Sequence, residues 1–237
     1  MDIASSLAIV TLAALVHASF QLSVSVLTLL SGHAIGAKHS HARVLRLTFG
    51  FVSGVGVMTL FALSFVSLIF LHIFGYDAPQ FVWAIACGLL VGVGLAVWIF
   101  YYRRGKGTSL WIPRSFAHYL SDRSKATKSS AEAFSLGLTS VISELPFILA
   151  PVIISALVLI QLPSNWQLVG IAIYTVVSLV TLFSIWVLIN SGHKLSAIQK
   201  WREDNKRFLQ FAAGGALAVL GFFVYVCKIV SDASGTF

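Results

Sequence analysis

Charge is what this chain lacks most. Asp, Glu, Lys and Arg make up 10% of its 237 residues, against about a quarter in a soluble globular domain. So few charges cannot cover a water-facing surface of ordinary size, which excludes a soluble enzyme or binding module. Acids are the scarcest, 8 against 16 Lys and Arg. There is no pair of carboxylates within an apolar run, no HExxH and no GxSxG, so the chain reads as a non-enzyme that needs no cofactor. Cysteine is nearly absent too. Cys87 and Cys227 sit in separate apolar segments without a CxxC motif, which leaves no basis for a disulfide framework. The first residues, MDIASS, carry no base, and the apolar run after them is too long for the core of a signal peptide.

What is abundant is hydrophobic side chain, 58% of the total. Six runs reach the roughly 20 residues that a bilayer core demands: 5–31, 47–74, 81–102, 133–160, 167–190 and 208–229. The expected fold is therefore all-α, a polytopic membrane protein of six transmembrane helices. Fifteen of the sixteen Lys and Arg fall in three connections, 32–46, 103–132 and 191–207, and the remaining one is Lys228 near the end of the last run. Such one-sided loops stay in the cytoplasm, which places both termini outside. The same topology explains the excess of positive charge, so nucleic acid is not an expected partner. The longest connection contains SLWIPRSFAHYLSDRSK, where Trp111, Phe116, Tyr119 and Leu120 lie among bases. It reads either as an interfacial helix on the inner leaflet or as a solvated linker.

The two halves are weakly alike. Phe20-Gln21-Leu22-Ser23 lies over Ser143-Glu144-Leu145-Pro146, and Thr59-Leu60-Phe61 lies over Thr181-Leu182-Phe183. Gly88, Leu90, Gly94 and Val97 lie over Gly215, Leu217, Gly221 and Val224. The offsets are 123, 122 and 127 residues. Each half holds three spans, an odd number, so the halves run in opposite senses through the membrane. The plan is a first repeat at 1–102, a basic linker at 103–132 and a second repeat at 133–237, an inverted-repeat arrangement with its site near the midplane.

Glu144 is the one acid inside a span. A charge at mid-membrane costs roughly 2.5–3.5 kcal/mol on insertion scales, and such residues default to function. Pro146 and Pro151 follow it and free backbone carbonyls around residues 142 and 147, as expected at a helix break or gate. The repeat sets Gln21 opposite Glu144. His17 shares a helix face with Gln21, four residues on, and Ser23, Ser140 and Ser143 add hydroxyls. One acid, one imidazole, one amide and several hydroxyls suit a cation or a protonated amine. They can also carry a proton, with Glu144 alternating between its protonated and ionised forms. If a metal ion binds, Glu144 and His17 are its ligands. The alternative is a packed helix whose neutral glutamate is bonded to a neighbour. Gly50, Gly54 and Gly56, Gly88, Gly92 and Gly94, and Gly214, Gly215 and Gly221 read as small faces for close helix packing, and they allow a homodimer. His33, His39 and His41 sit among bases with no acid nearby, so a solvated loop is expected there rather than a metal tract.

An N-out chain of three plus three spans, with a polar, proline-bearing motif in spans one and four, resembles the lysine-exporter (LysE-type) superfamily. That group includes amino-acid exporters, metal exporters and the thiol carriers of the CcdA/DsbD type. The last run, AAGGALAVLGFFVYV, is similar to the glycine-rich final helix of the exporters, and Ser143-Glu144-Leu145-Pro146 stands where the thiol carriers place a cysteine beside prolines. The resemblance implies a secondary transporter in the bacterial cytoplasmic membrane that exports a small cation, amine or metal ion, with the bilayer and the solute as its partners. The chain departs from both subgroups. Span one lacks a central proline or glycine, and neither Gln21 nor Glu144 is a cysteine, which disfavours a transmembrane redox carrier. A membrane subunit or assembly factor that docks partners through the basic loops is the other reading.

Overall fold

The computed structural model describes residues 2–20, 23–36, 41–101, 114–191 and 195–230. Among these every regular element is helical and there is no strand. The first half holds α1 (Ile3–Ser19), α2 (Ser23–Gly36), α3 (His41–Phe74) and α4 (Gln80–Ala96), which runs on as a π turn to Tyr101. The second half is entered through α5 (Arg114–Ala126). It then holds α6 (Ser130–Leu159), α7 (Ser164–Ser178), α8 (Val180–Asn190), α9 (Leu195–Asp204) and α10 (Lys206–Val224), which also ends in a π turn, to Val230. Local chemistry marks the ends. Asp2 caps α1 by accepting from the Ser5 N–H, and Ser129 and Glu132 form a capping box at the start of α6. Gly75, with φ of +67°, turns the chain from α3 towards α4, a conformation that costs other residues about 1 kcal/mol or more.

Four helices are long and apolar enough to cross a membrane: Ala42–Phe74, Gln80–Phe100, Ser130–Leu159 and Arg207–Val230. The count reaches six if α1 with α2, and α7 with α8, are each one span, both pairs being bent by 46°. The expected runs at 5–31 and 167–190 are thus each two helices. Both breaks follow a serine whose hydroxyl bonds back to the carbonyl three residues earlier, Ser19 to Val16 at 2.6 Å and Ser178 to Thr175 at 2.9 Å, a contact that bends helices. The break expected at the prolines is not where the structure puts one. α6 runs without interruption through Pro146 and Pro151. Its burial supplies the physical reason, since 72% of its apolar window is covered by neighbours, more than in any other candidate span. Packing holds the helix where the local backbone alone would give way.

α6 lies closest to α3 and also meets α1 and α4; α1 packs on α7 and α10, and α4 packs on α10. Small residues set these approaches. A Cβ on Gly54 would strike the Phe134 carbonyl of α6, one on Gly137 would strike the Phe51 carbonyl of α3, and one on Gly94 would come within 2.8 Å of the Gly214 carbonyl. Beside that crossing Trp98 stacks on Phe211 and donates from Nε1 to its carbonyl at 3.1 Å. Gly88 and Gly92 do not fit this pattern, for nothing lies within 4 Å of either position.

The apolar core is divided in two. One cluster gathers Ile9, Val10, Ala13, Trp83, Leu90, Ile154, Leu157 and Leu217 towards the N-terminal end of α1. The other gathers Leu27, Leu30, Leu47, Phe51, Leu136, Ile148, Leu182 and Ile198 towards the basic connections. Phe20 packs against both and stacks on Phe147, with ring centroids 5.8 Å apart. The basic connections are themselves partly packed on this second end. α5 lies along α2 and buries Leu120, while Tyr119 is exposed. Phe116 belongs to α5, and Trp111 falls outside the described residues. α9 buries Ile198 and reaches α2 through Arg202, whose Nη1 donates to Ser25 Oγ at 3.4 Å. Burial pulls that guanidinium below its ordinary pKa.

Candidate functional site

Between the two apolar clusters lies a small polar layer, and Glu144 is its centre. Glu144 is fully buried on α6, as are His17 on α1, Ser23 at the start of α2 and Ser140 one turn before Glu144. The break between α1 and α2 makes this layer possible. A helix that begins in mid-bundle exposes N–H groups without internal partners, and the N–H of Ser23 donates to Glu144 Oε1 at 2.6 Å. The Ser23 hydroxyl donates to the same oxygen, also at 2.6 Å. A carboxylate at a helix N-terminus is further favoured by the aligned peptide dipoles. Ser140 Oγ stands 2.9 Å from Ser23 Oγ and 2.8 Å from the Gly137 carbonyl. Its single proton serves one of these at a time.

The other carboxylate oxygen is treated differently. Among the described residues Glu144 Oε2 has no hydrogen bond, and it faces His17 Nε2 at 3.9 Å, itself buried and without a bond there. A buried polar atom without a partner costs about 1–3 kcal/mol, and here two such atoms are aimed at one another. The far side of the imidazole is held: Nδ1 is 3.0 Å from the hydroxyl of Tyr174 on α7, and the two rings are tilted against each other with centroids 5.6 Å apart. When the phenol donates to Nδ1, the neutral imidazole carries its proton on Nε2, towards Glu144. When Nδ1 carries the proton and donates to the phenol oxygen, Nε2 presents a lone pair there instead. His17 and Tyr174 are thus hydrogen-bonded across two helices, and the tautomer chosen there decides whether a proton or a lone pair faces Glu144 across 3.9 Å.

Of the residues expected at the site, the structure brings Glu144, His17, Ser23 and Ser140 together. Ser143 is buried beside them, but its hydroxyl bonds to the Ser140 carbonyl of its own helix and not to Glu144. Gln21 lies outside the described residues. Pro151 is buried and Pro146 exposed, both inside α6. Among the described residues there is no group of three or more His, Cys, Asp and Glu that could hold a metal ion, so a metal here would have Glu144 and His17 plus neutral oxygens. Of the histidines in the basic connection, His33 and His41 fall in α2 and α3, and His39 is outside the described residues.

Tyr174 was not anticipated. Its only signal in the sequence is a phenol in the middle of an aliphatic run, LVGIAIYTVV, where a hydroxyl needs a partner. Nothing local says that the partner is 157 residues earlier in the chain. Comparison with family models, with curated proteins and with solved structures finds no match. The fold and site define an all-helical protein with four to six candidate membrane spans and a fully buried acid–imidazole pair between two apolar cores.

Proposed function

We propose that this chain is a proton-coupled secondary transporter, an exporter of a small cationic or amine substrate, working through Glu144. The observation that carries the reading is the asymmetry of that carboxylate. One oxygen is fixed by the start of a broken helix, and the other is buried, without a bond among the described residues, and turned towards an imidazole nitrogen in the same state. Half-helices whose ends meet a substrate or coupling ion are the means by which inverted-repeat transporters build a midplane site. Apolar clusters close the layer at both ends, so the conformation is an occluded one. Opening towards either end requires one cluster to part, and α2, which packs on α3, α5, α6 and α8 and is reached by Arg202, is the element whose displacement would open the end with the basic loops.

Helix packing supports the inverted repeat. Exchanging the first three spans with the last three turns the α3–α6 contact into α1–α7 and the α1–α10 contact into α4–α6. The α1–α6 and α4–α10 contacts map onto themselves. Both third spans end in a π turn. A metal cargo is the less favoured substrate because the acid and histidine ligands number two, fewer than most tight divalent sites use.

The test is transport by the purified chain in sealed vesicles carrying an inward proton gradient on the side of the basic loops or its opposite. Amines, amino acids and divalent cations are offered in turn. Gradient-dependent flux in the wild type that disappears in Glu144→Gln supports the reading. Flux unchanged in Glu144→Gln defeats the coupling role. No gradient-dependent flux of any of them, with a folded protein, moves the weight to a membrane subunit that docks partners.

A further inference from the structure

A second polar feature lies away from Glu144, at the end of the bundle that carries the basic loops. The first turns of α3 and the residues leading into α6 enclose a cavity of about 320 Å³. Arg43, Arg46 and Leu47 line it from α3, and Lys128, Ser129 and Ser130 line it from the other wall. The walls are tied together, since Arg43 Nη2 donates to the Lys128 carbonyl at 3.3 Å. Neither Arg46 nor Lys128 forms an ion pair among the described residues. Glu132, the nearest acid along the chain, is already engaged, its Oε2 accepting from the N–H groups of Lys128 and Ser129 at 2.7 and 3.4 Å.

Topological sorting of bases needs them only on the right side of the membrane. It does not require that bases 85 residues apart in the chain converge on one concave surface with hydroxyls between them. The surroundings identify the ligand's other half. Leu45 and Phe49, four residues apart on α3 and flanking Arg46, are both exposed, Phe49 by 59%. Neither lines the cavity, but Phe49 follows the cavity-lining Arg46 by three residues, so the base stands beside the apolar surface of a helix long enough to cross a bilayer. A small free anion would use the bases and leave these side chains without a role. A lipid would use both.

We propose that this cavity binds the phosphate headgroup of an anionic membrane lipid, with an acyl chain laid along Leu45 and Phe49. Guanidinium groups grip phosphate through paired N–H donors, and basic pockets between membrane helices suit such headgroups. The lipid would join the start of the first half's longest helix to the start of the second half's, bridging the halves at one end of the bundle.

The experiment is thermal unfolding of the full chain in a neutral detergent, titrated separately with phosphatidylglycerol, phosphatidylcholine and inorganic phosphate. The expected result is a saturable rise in Tm with phosphatidylglycerol and none with the other two at equal concentration. General attraction of a base to an anionic surface is worth about fivefold in affinity. Lys200→Gln, which removes an exposed base of the same end outside the cavity, should lose no more than that. Arg46→Gln and Lys128→Gln should each lose about tenfold or more, as for a charge-assisted hydrogen bond. If Arg46→Gln does not fold, Arg46→Lys replaces it: it keeps the charge, loses the planar fork, and should still weaken binding more than Lys200→Gln does. No shift with phosphatidylglycerol, an equal shift with inorganic phosphate, or losses no greater than that of Lys200→Gln would each overturn the proposal.

Discussion

Serine side chains decide how Glu144 is held, and two of them that look alike in sequence do different things. Ser23 gives Glu144 Oε1 both its hydroxyl and its backbone N–H, whereas Ser143 bonds within its own helix. Ser23→Ala keeps the N–H and removes the hydroxyl. A hydrogen bond to a charged group is worth about 1.5–3 kcal/mol, which in a chain of this size lowers Tm by about 3–12 °C. Ser143→Ala removes only a bond to its own helix and introduces a better helix former, so its effect should stay under about 1 kcal/mol. Thermal unfolding of the two variants in detergent checks the contrast, and equal losses would sink it. Tyr174→Phe addresses the far side of the imidazole. It deletes the group that fixes the imidazole through Nδ1, so the pH profile of the proposed transport should move while Tm falls by only about 2–4 °C. An unmoved profile would reduce Tyr174 to a packing residue.

Elements show where the amino-acid pattern was legible and where it was not. The lengths of the apolar runs were sufficient to outline four long helices, because hydrophobic burial acts along contiguous stretches. The break in the first run was not legible, because its stabilising partner is a carboxylate 121 residues away. The prolines pointed to a break in α6 that tertiary packing suppresses. Glycine was half legible for the same reason, since a glycine's use depends on what faces it. Gly54 meets the backbone of α6, and Gly88 meets nothing. Gly54→Ala should therefore force α3 and α6 apart at a cost of about 1–3 kcal/mol. Gly88→Ala should be neutral or stabilising by up to about 1 kcal/mol, from helix propensity alone. Thermal unfolding separates them. A loss at Gly88 comparable to that at Gly54 would mean that the face of α4 is covered in the membrane, as a homodimer would cover it.

At the scale of the whole molecule the open quantity is how the chain threads the bilayer, and labelling can resolve it span by span. Asp77 lies between α3 and α4, and its carboxylate accepts from Gln161 Nε2 at 3.0 Å, so the connections before α4 and before α7 share one end of the bundle. Lys125, in α5, lies beyond α4 and is half exposed. In a variant with Cys87 and Cys227 replaced by alanine, Asp77→Cys and Lys125→Cys should react from opposite sides with a membrane-impermeant thiol reagent. The basic loops predict that position 77 reacts in intact cells and position 125 only after permeabilisation. The reverse result would invert the orientation that the bases predict. The bent pair α7–α8 is tested in the same way by Ser164→Cys and Ser191→Cys, which stand at its two ends. If the pair is one broken span, these two also react from opposite sides. If it turns back at Leu179 as a re-entrant loop, they react from the same side. The halves would then hold unequal numbers of crossings, and the inverted repeat, together with the midplane placement of Glu144 that rests on it, would have to be given up.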